Sequence, residues 1–146
     1  MKTLKVTNIN RNYSNWGMHC EQALAYTLTG ELRSHDHVPF FADSDIPEFE
    51  MSVKSNSFTL ASAKVNFGST FEEKWQDFKA RVHSTQFAYV TEDFIAYIMS
   101  LDEFERFVHQ FCYLDRESTK NGGGLKIKCR KESTKMLKWL TEQVAA

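Results

Sequence analysis

Proline and glycine are sparse in this sequence, with two and six copies among 146 residues, and cysteine occurs three times. No stretch reads as a linker, repeat or low-complexity tract; only residues 31–45 and the run Gly122, Gly123, Gly124 look flexible. Cys20, Cys112 and Cys129 are odd in number, far apart and without a C-x-x-C pair, which points to reduced thiols rather than a disulfide framework or a zinc knuckle. No apolar run approaches the roughly 18–20 residues that cross a bilayer, and the first residues lack the apolar stretch of a secretory signal. The expectation is a cytoplasmic protein with no membrane partner. An excess of one charge is missing too: 18 Lys and Arg stand against 19 Asp and Glu, a formal net charge of −1. Nucleic-acid binding therefore has no support from overall charge and must be argued from where the charges lie. No P-loop, G-x-G-x-x-G or legible Ser/His/Asp or Cys/His/Asn arrangement occurs.

What is present is a well-patterned apolar fraction. Hydrophobic residues make up 42% and aromatics 14%, too much for a disordered chain. A chain of this length buries about 68–70% of its unfolded surface in one core, so residues 1–146 read as a single domain. Weak alternation at 3–9 suggests a short strand. From about Ser14 to Thr29 the spacing is helical, with Gly30 as its stop. Residues 46–66 read as two strands; in the first, Phe49, Met51 and Val53 face a core while Glu48, Glu50, Ser52 and Lys54 share the other face. A capping box at Ser69/Glu72 opens a helix through His83, and Phe87–Val90 and Phe94–Met99 form a hairpin. A second capping box, Ser100/Glu103, opens a third helix. A strand at Leu125–Arg130 and a helix from about Glu132 to Val144 complete an α/β (α+β) pattern, a central mixed sheet flanked by helices.

Two local features carry chemistry. Between Glu31 and Glu50 lie six carboxylates (Glu31, Asp36, Asp43, Asp45, Glu48, Glu50) with a single basic residue, Arg33, beside His35 and His37. Such acid density suits a hard divalent cation, since Mg²⁺ takes one or two carboxylates and keeps water or phosphate oxygens; a solvent-facing acidic loop is the plain alternative. His35-Asp36-His37 offers imidazoles for Zn²⁺ but lacks a third partner at the usual spacing. Glu21 falls inside the apolar arc of the first helix, where a carboxylate needs a basic partner, a proton or a cation.

A helix with an inward Glu, an acidic turn, then a strand ending in x-x-Lys resembles the PD-(D/E)xK nuclease superfamily, which includes restriction-type and small phage-encoded enzymes. The segment Asp45-Ile46-Pro47-Glu48-Phe49-Glu50-Met51-Ser52-Val53-Lys54 carries the resemblance. It implies a restriction-endonuclease-like core, Asp45 as a metal-binding aspartate, Lys54 as the catalytic lysine and Glu21 as a helix carboxylate, with Mg²⁺ or Mn²⁺ as cofactor. Ser52 departs from the pattern, which has Glu or Asp two before the lysine. Glu50 is the nearest substitute on the same strand face, with Glu72 or Glu73 further off.

Charge is also segregated. Residues 111–146 carry a net +4 and residues 1–110 a net −5. Lys120, Lys126, Lys128, Arg130, Lys131 and Lys135 would make a track for a phosphate backbone, or else a solvated lysine face. The function expected is Mg²⁺-dependent endonuclease cleavage of DNA, with Lys54, Asp45, Glu50 and Glu21 at the centre and a homodimer to cut two strands. The alternatives are a non-catalytic nucleic-acid- or protein-binding module on the same fold and a phage-type interaction protein.

Overall fold

The structure is a computed structural model and describes residues 1–9, 15–32, 44–60, 69–116 and 125–146. In chain order the elements are β1 (Lys2–Lys5), α1 (Trp16–Thr29), β2 (Met51–Ser55), β3 (Thr59–Leu60), α2 (Phe71–Arg81), β4 (Gln86–Val90), β5 (Ile95–Ser100), α3 (Leu101–Phe111), β6 (Cys112–Asp115), β7 (Lys126–Cys129) and α4 (Thr134–Ala145). This is a mixed α/β architecture of the α+β kind. The main sheet runs β1-β5-β4-β2, with β4 and β2 parallel and the other pairs antiparallel. A small antiparallel sheet runs β3-β7-β6.

The central strands β4 and β5 of the main sheet are buried on both faces, and their residue alternation divides two cores. Phe87, Tyr89, Tyr97 and Met99 point to one side, where they meet Trp75, Phe78, Phe104, Phe107, Ile127, Met136 and Leu140 from α2, α3, β7 and α4. Ala88, Val90 and Ala96 point to the other and meet Cys20, Ala23, Leu24 and Ala25 of α1, together with Met51. Small residues on that face let α1 lie close to the sheet. The aromatic side is held by stacked rings: Phe87 and Phe104 lie 4.4 Å apart and 2° from parallel.

Local signals place the helix ends. Ser100 and Glu103 form the full capping box at α3, and Gly30 takes the left-handed conformation (φ 79°), its N–H donating to the Tyr26 carbonyl at 2.7 Å. At α2 the cap is one residue later than the spacing predicts. Thr70, rather than Ser69, accepts from the N–H of Glu73, because Thr70 also donates its hydroxyl to the Glu73 carboxylate at 2.9 Å. The strand β6 was not legible, since α3 passes into it without a turn residue. The predicted first strand around Phe49 also begins later: Pro47–Phe49 form a 3₁₀ turn and β2 starts at Met51.

Removing the stacked Phe104 ring leaves a cavity that both α3 and β4 line. Phe104→Ala is expected to lower unfolding free energy by about 3–5 kcal/mol, read from urea denaturation.

Candidate active site

Among the described residues β2 is the edge strand of the main sheet, so its outward N–H groups need partners other than a neighbouring strand. The chain before it supplies them. Residues 46–51 reverse through the 3₁₀ turn, and Ile46 and Met51 exchange two backbone hydrogen bonds, 3.0 and 3.2 Å. Asp45 continues the edge: its Oδ2 accepts from the Val53 N–H at 2.7 Å. The nine-residue step from Asp45 to Lys54 is thereby folded back on itself, and the aspartate stands beside the C-terminal end of β2.

That end opens into a cavity of about 550 Å³. Its walls are the first turns of α1 (Asn15–Met18 and Glu21), Asp45, the end of β2 (Val53, Lys54, Ser55) and the turn Asn56–Phe58. The turn is anchored from outside: Tyr89 donates its hydroxyl to the Asn56 carbonyl at 3.2 Å, and the Glu132 N–H donates to Asn56 Oδ1 at 3.4 Å. Glu21, Asp45 and Lys54, three residues expected at the site, therefore share one pocket. The Lys54 ammonium lies 5.8 Å from the centre of the Phe58 ring. Burial holds its pKa below the ordinary lysine range, while the charges of Asp45 and Glu21 pull the other way.

Glu50 is not brought there. It was expected on the strand face of Lys54, but it caps the 3₁₀ turn in a left-handed conformation (φ 47°), is exposed, and does not line the pocket. Its carboxylate instead accepts from the Thr85 hydroxyl at 3.4 Å. Ser52 is buried and closes a hydroxyl chain, Ser52 to Ser84 at 2.7 Å and Ser84 to Ser44 at 2.8 Å. Neither supplies a third carboxylate. Sequence spacing could not show this, since it treats residues 48–54 as one straight strand.

On the basic side, β7 alternates as expected, with Ile127 and Cys129 buried and Lys126 and Lys128 half-buried. Arg130 lies over the Tyr113 ring at 4.7 Å, and Lys131 and Lys135 are exposed. The strand adjoins the pocket through the Cys129 N–H, which donates to the Phe58 carbonyl at 2.7 Å. Lys120, the Gly122–Gly124 run, Asp36, Asp43 and the His35-Asp36-His37 motif lie outside the described residues.

A second polar group was missed. Glu72 of α2 and Glu105 and His109 of α3 each present one ligand atom, all within 4.8 Å of one another, an arrangement that can hold a metal ion. Its groups also satisfy each other. His109 contacts the Glu105 carbonyl through Nδ1 at 2.8 Å and Glu72 through Nε2 at 3.0 Å; Glu105 accepts from Trp75 Nε1 at 2.8 Å and pairs with Lys79 at 3.1 Å. Both imidazole nitrogens face oxygen acceptors, so the geometry suits the doubly protonated ring. The Glu105/His109 spacing is visible in the sequence; the meeting with Glu72 depends on how α2 packs on α3.

Comparison with protein-family models, curated proteins and solved structures gives no match, so the chemistry rests on this geometry alone.

Burial lowers the His109 pKa, but the Glu72 and Glu105 contacts outweigh it and leave it raised. A raised histidine stabilises the fold fully below its unfolded value, about 6.5, and that contribution is lost as pH climbs through the folded value. His109→Gln should therefore lower the urea midpoint at about pH 6 more than at about pH 9. An equal loss at both would show that the ring acts by packing alone.

Proposed function

We propose that the chain is a metal-dependent nuclease that hydrolyses DNA phosphodiesters at the pocket at the end of β2. One observation carries the reading: Glu21, Asp45 and Lys54, drawn from three separate segments, line the same open cavity. Two carboxylates match the small protein share of a Mg²⁺ or Mn²⁺ site, which leaves positions for water and phosphate oxygens. An ionised carboxylate has about four lone-pair sites, so Asp45 can accept from Val53 and still face a cation. When bound, the metal would supply Lewis-acid polarisation of a phosphate oxygen and acidify the attacking water.

The remaining work falls to this chain's own residues. Glu21 and Asp45 hold negative charge at the pocket wall. Lys54, with its depressed pKa, can take the proton of the attacking water or, when charged, stabilise the phosphoryl oxygens as negative charge grows on them. Phe58 and the turn Asn56–Ser57 bound the side next to β7. Lys126, Lys128, Arg130, Lys131 and Lys135 would hold the backbone by charge and set a salt-dependent affinity. A homodimer would place two such pockets on two strands.

The absence of Glu50 and Ser52 from the pocket favours a second reading, a module on this fold that binds DNA or a protein without cutting.

With Mg²⁺ or Mn²⁺, the protein should cleave plasmid, single-stranded or branched DNA, and Lys54→Met and Asp45→Asn should each reduce the rate by about 100-fold or more while leaving the circular dichroism spectrum unchanged. Saturable DNA binding without cleavage on any substrate would establish the second reading instead. Replacing Lys126, Lys128 and Arg130 together by Gln should weaken DNA binding and reduce the slope of log K against log salt by roughly 0.9 for each phosphate no longer neutralised. An unchanged slope would remove β7 from the interface.

A further inference from the structure

The three cysteines are free thiols, and far apart in sequence, but the small sheet sets two of them face to face. In the register of β6 on β7, Cys112 is directly opposite Cys129. The Arg130 N–H donates to the Phe111 carbonyl at 3.1 Å, so Phe111/Arg130 is a hydrogen-bonded pair. The next pair, Cys112/Cys129, is then a non-hydrogen-bonded one, and the Cys129 N–H turns the other way, to Phe58. At such antiparallel positions the Cα atoms come within about 4.5 Å, inside the roughly 4.4–6.8 Å span of disulfides. Opposed residues of a pair project to the same face, and here both cysteines pack against the aromatic core, close enough for each thiol to act on the other.

We propose that Cys112 and Cys129 form a reversible cross-strand disulfide by exchange with a low-molecular-weight disulfide such as oxidised glutathione.

The two thiols differ in reach, which assigns their roles. Cys112 is partly exposed and Cys129 is buried. The Cys112 thiol loses its proton, and its sulfur attacks glutathione disulfide; one S–S bond breaks, and one glutathione leaves as thiolate and is protonated. The Cys129 thiol in turn loses its proton, and its sulfur attacks Cys112 Sγ and expels the second glutathione. The chain gives up two electrons and two protons, and the oxidant becomes two reduced glutathiones. The neighbouring Cys129 thiol, and after it burial, raise the Cys112 pKa, so the thiolate is scarce and the exchange is slow. Cys20 stays out of it: it sits on α1 in the other core, with its thiol pushed up to about 12 by burial. The bond would pin the strand that carries Lys126 and Lys128, that leads into Arg130 and that meets Phe58 at the pocket wall. It does not depend on the nuclease reading.

The experiment uses the folded full chain, reduced, desalted without oxygen and incubated with oxidised glutathione. Thiols titrated in denaturant should fall from three to one, dithiothreitol should restore them, and a non-reduced peptide map should join the Cys112 and Cys129 peptides. Cys20→Ser should keep the link, and Cys129→Ser should stop at a glutathione adduct on Cys112. If Cys129→Ser does not fold, Cys112→Ser should leave both remaining thiols reduced. A link that includes Cys20, or three persistent thiols under conditions that oxidise the urea-unfolded chain, would overturn the proposal.

Discussion

The side of β2 turned away from β4 governs the arrangement of the pocket. A parallel partner, β4, satisfies one side of the strand, and the other side must find acceptors and donors or forfeit about 1–3 kcal/mol for each buried group left unpaired. The reversal at Ile46–Met51 meets part of that need, and the Asp45 carboxylate meets the next N–H along. A structural requirement of the sheet thus fixes a carboxyl group in the pocket that Lys54 lines. The same bond explains why Asp45 and the strand end cannot drift apart without exposing backbone.

Burial on both faces at the centre of the main sheet then decides which residues share the site. Met51 and Val53 contact the α1 core, and this docks the first turns of α1 above the end of β2, with Glu21 on the cavity wall. Lys54 falls on the opposite face, with its ammonium 5.8 Å from the Phe58 ring, and it too lines the opening at the strand end. The pocket exists because α1 covers one face of β2 and the Asn56–Phe58 turn leaves along the other. Burial lowers the stability of the lysine's charged form, and the two carboxylates moderate that cost.

The small sheet ties the basic surface to this geometry. Its strand β7 is bonded on one side to β6 and on the other to β3 and the Phe58 carbonyl. The inward residues Ile127 and Cys129 lock it to the aromatic core, which leaves Lys126 and Lys128 facing outward. The position of the positive charge is therefore a result of core packing, and the near-zero net charge is a cancellation between regions.

Much of this was legible residue by residue. Period-2 and period-3.6 patterns located α1, β4, β5, α3, β7 and α4, because an element with an apolar face must bury it, and Ser100/Glu103 and Gly30 marked ends through bonds made within a few residues. Glu21 reads in the sequence as a carboxylate on an apolar arc, and it lies half-buried on the pocket wall. What the pattern could not hold was anything made by distant chain segments. Glu50 left the face of Lys54 because Pro47 and the Ile46/Met51 pairing turn the chain just before β2; Ser52 turned to Ser84, 32 residues away. The meetings of Glu72 with His109 and of Cys112 with Cys129 depend on helix packing and strand register. By itself the chain's order of apolar and polar residues determined the elements and their inward faces, since those follow from local periodicity and burial. Which side chains meet was decided only by the tertiary structure, because partners far apart in sequence are selected by the closing of the sheets and not by spacing along the chain.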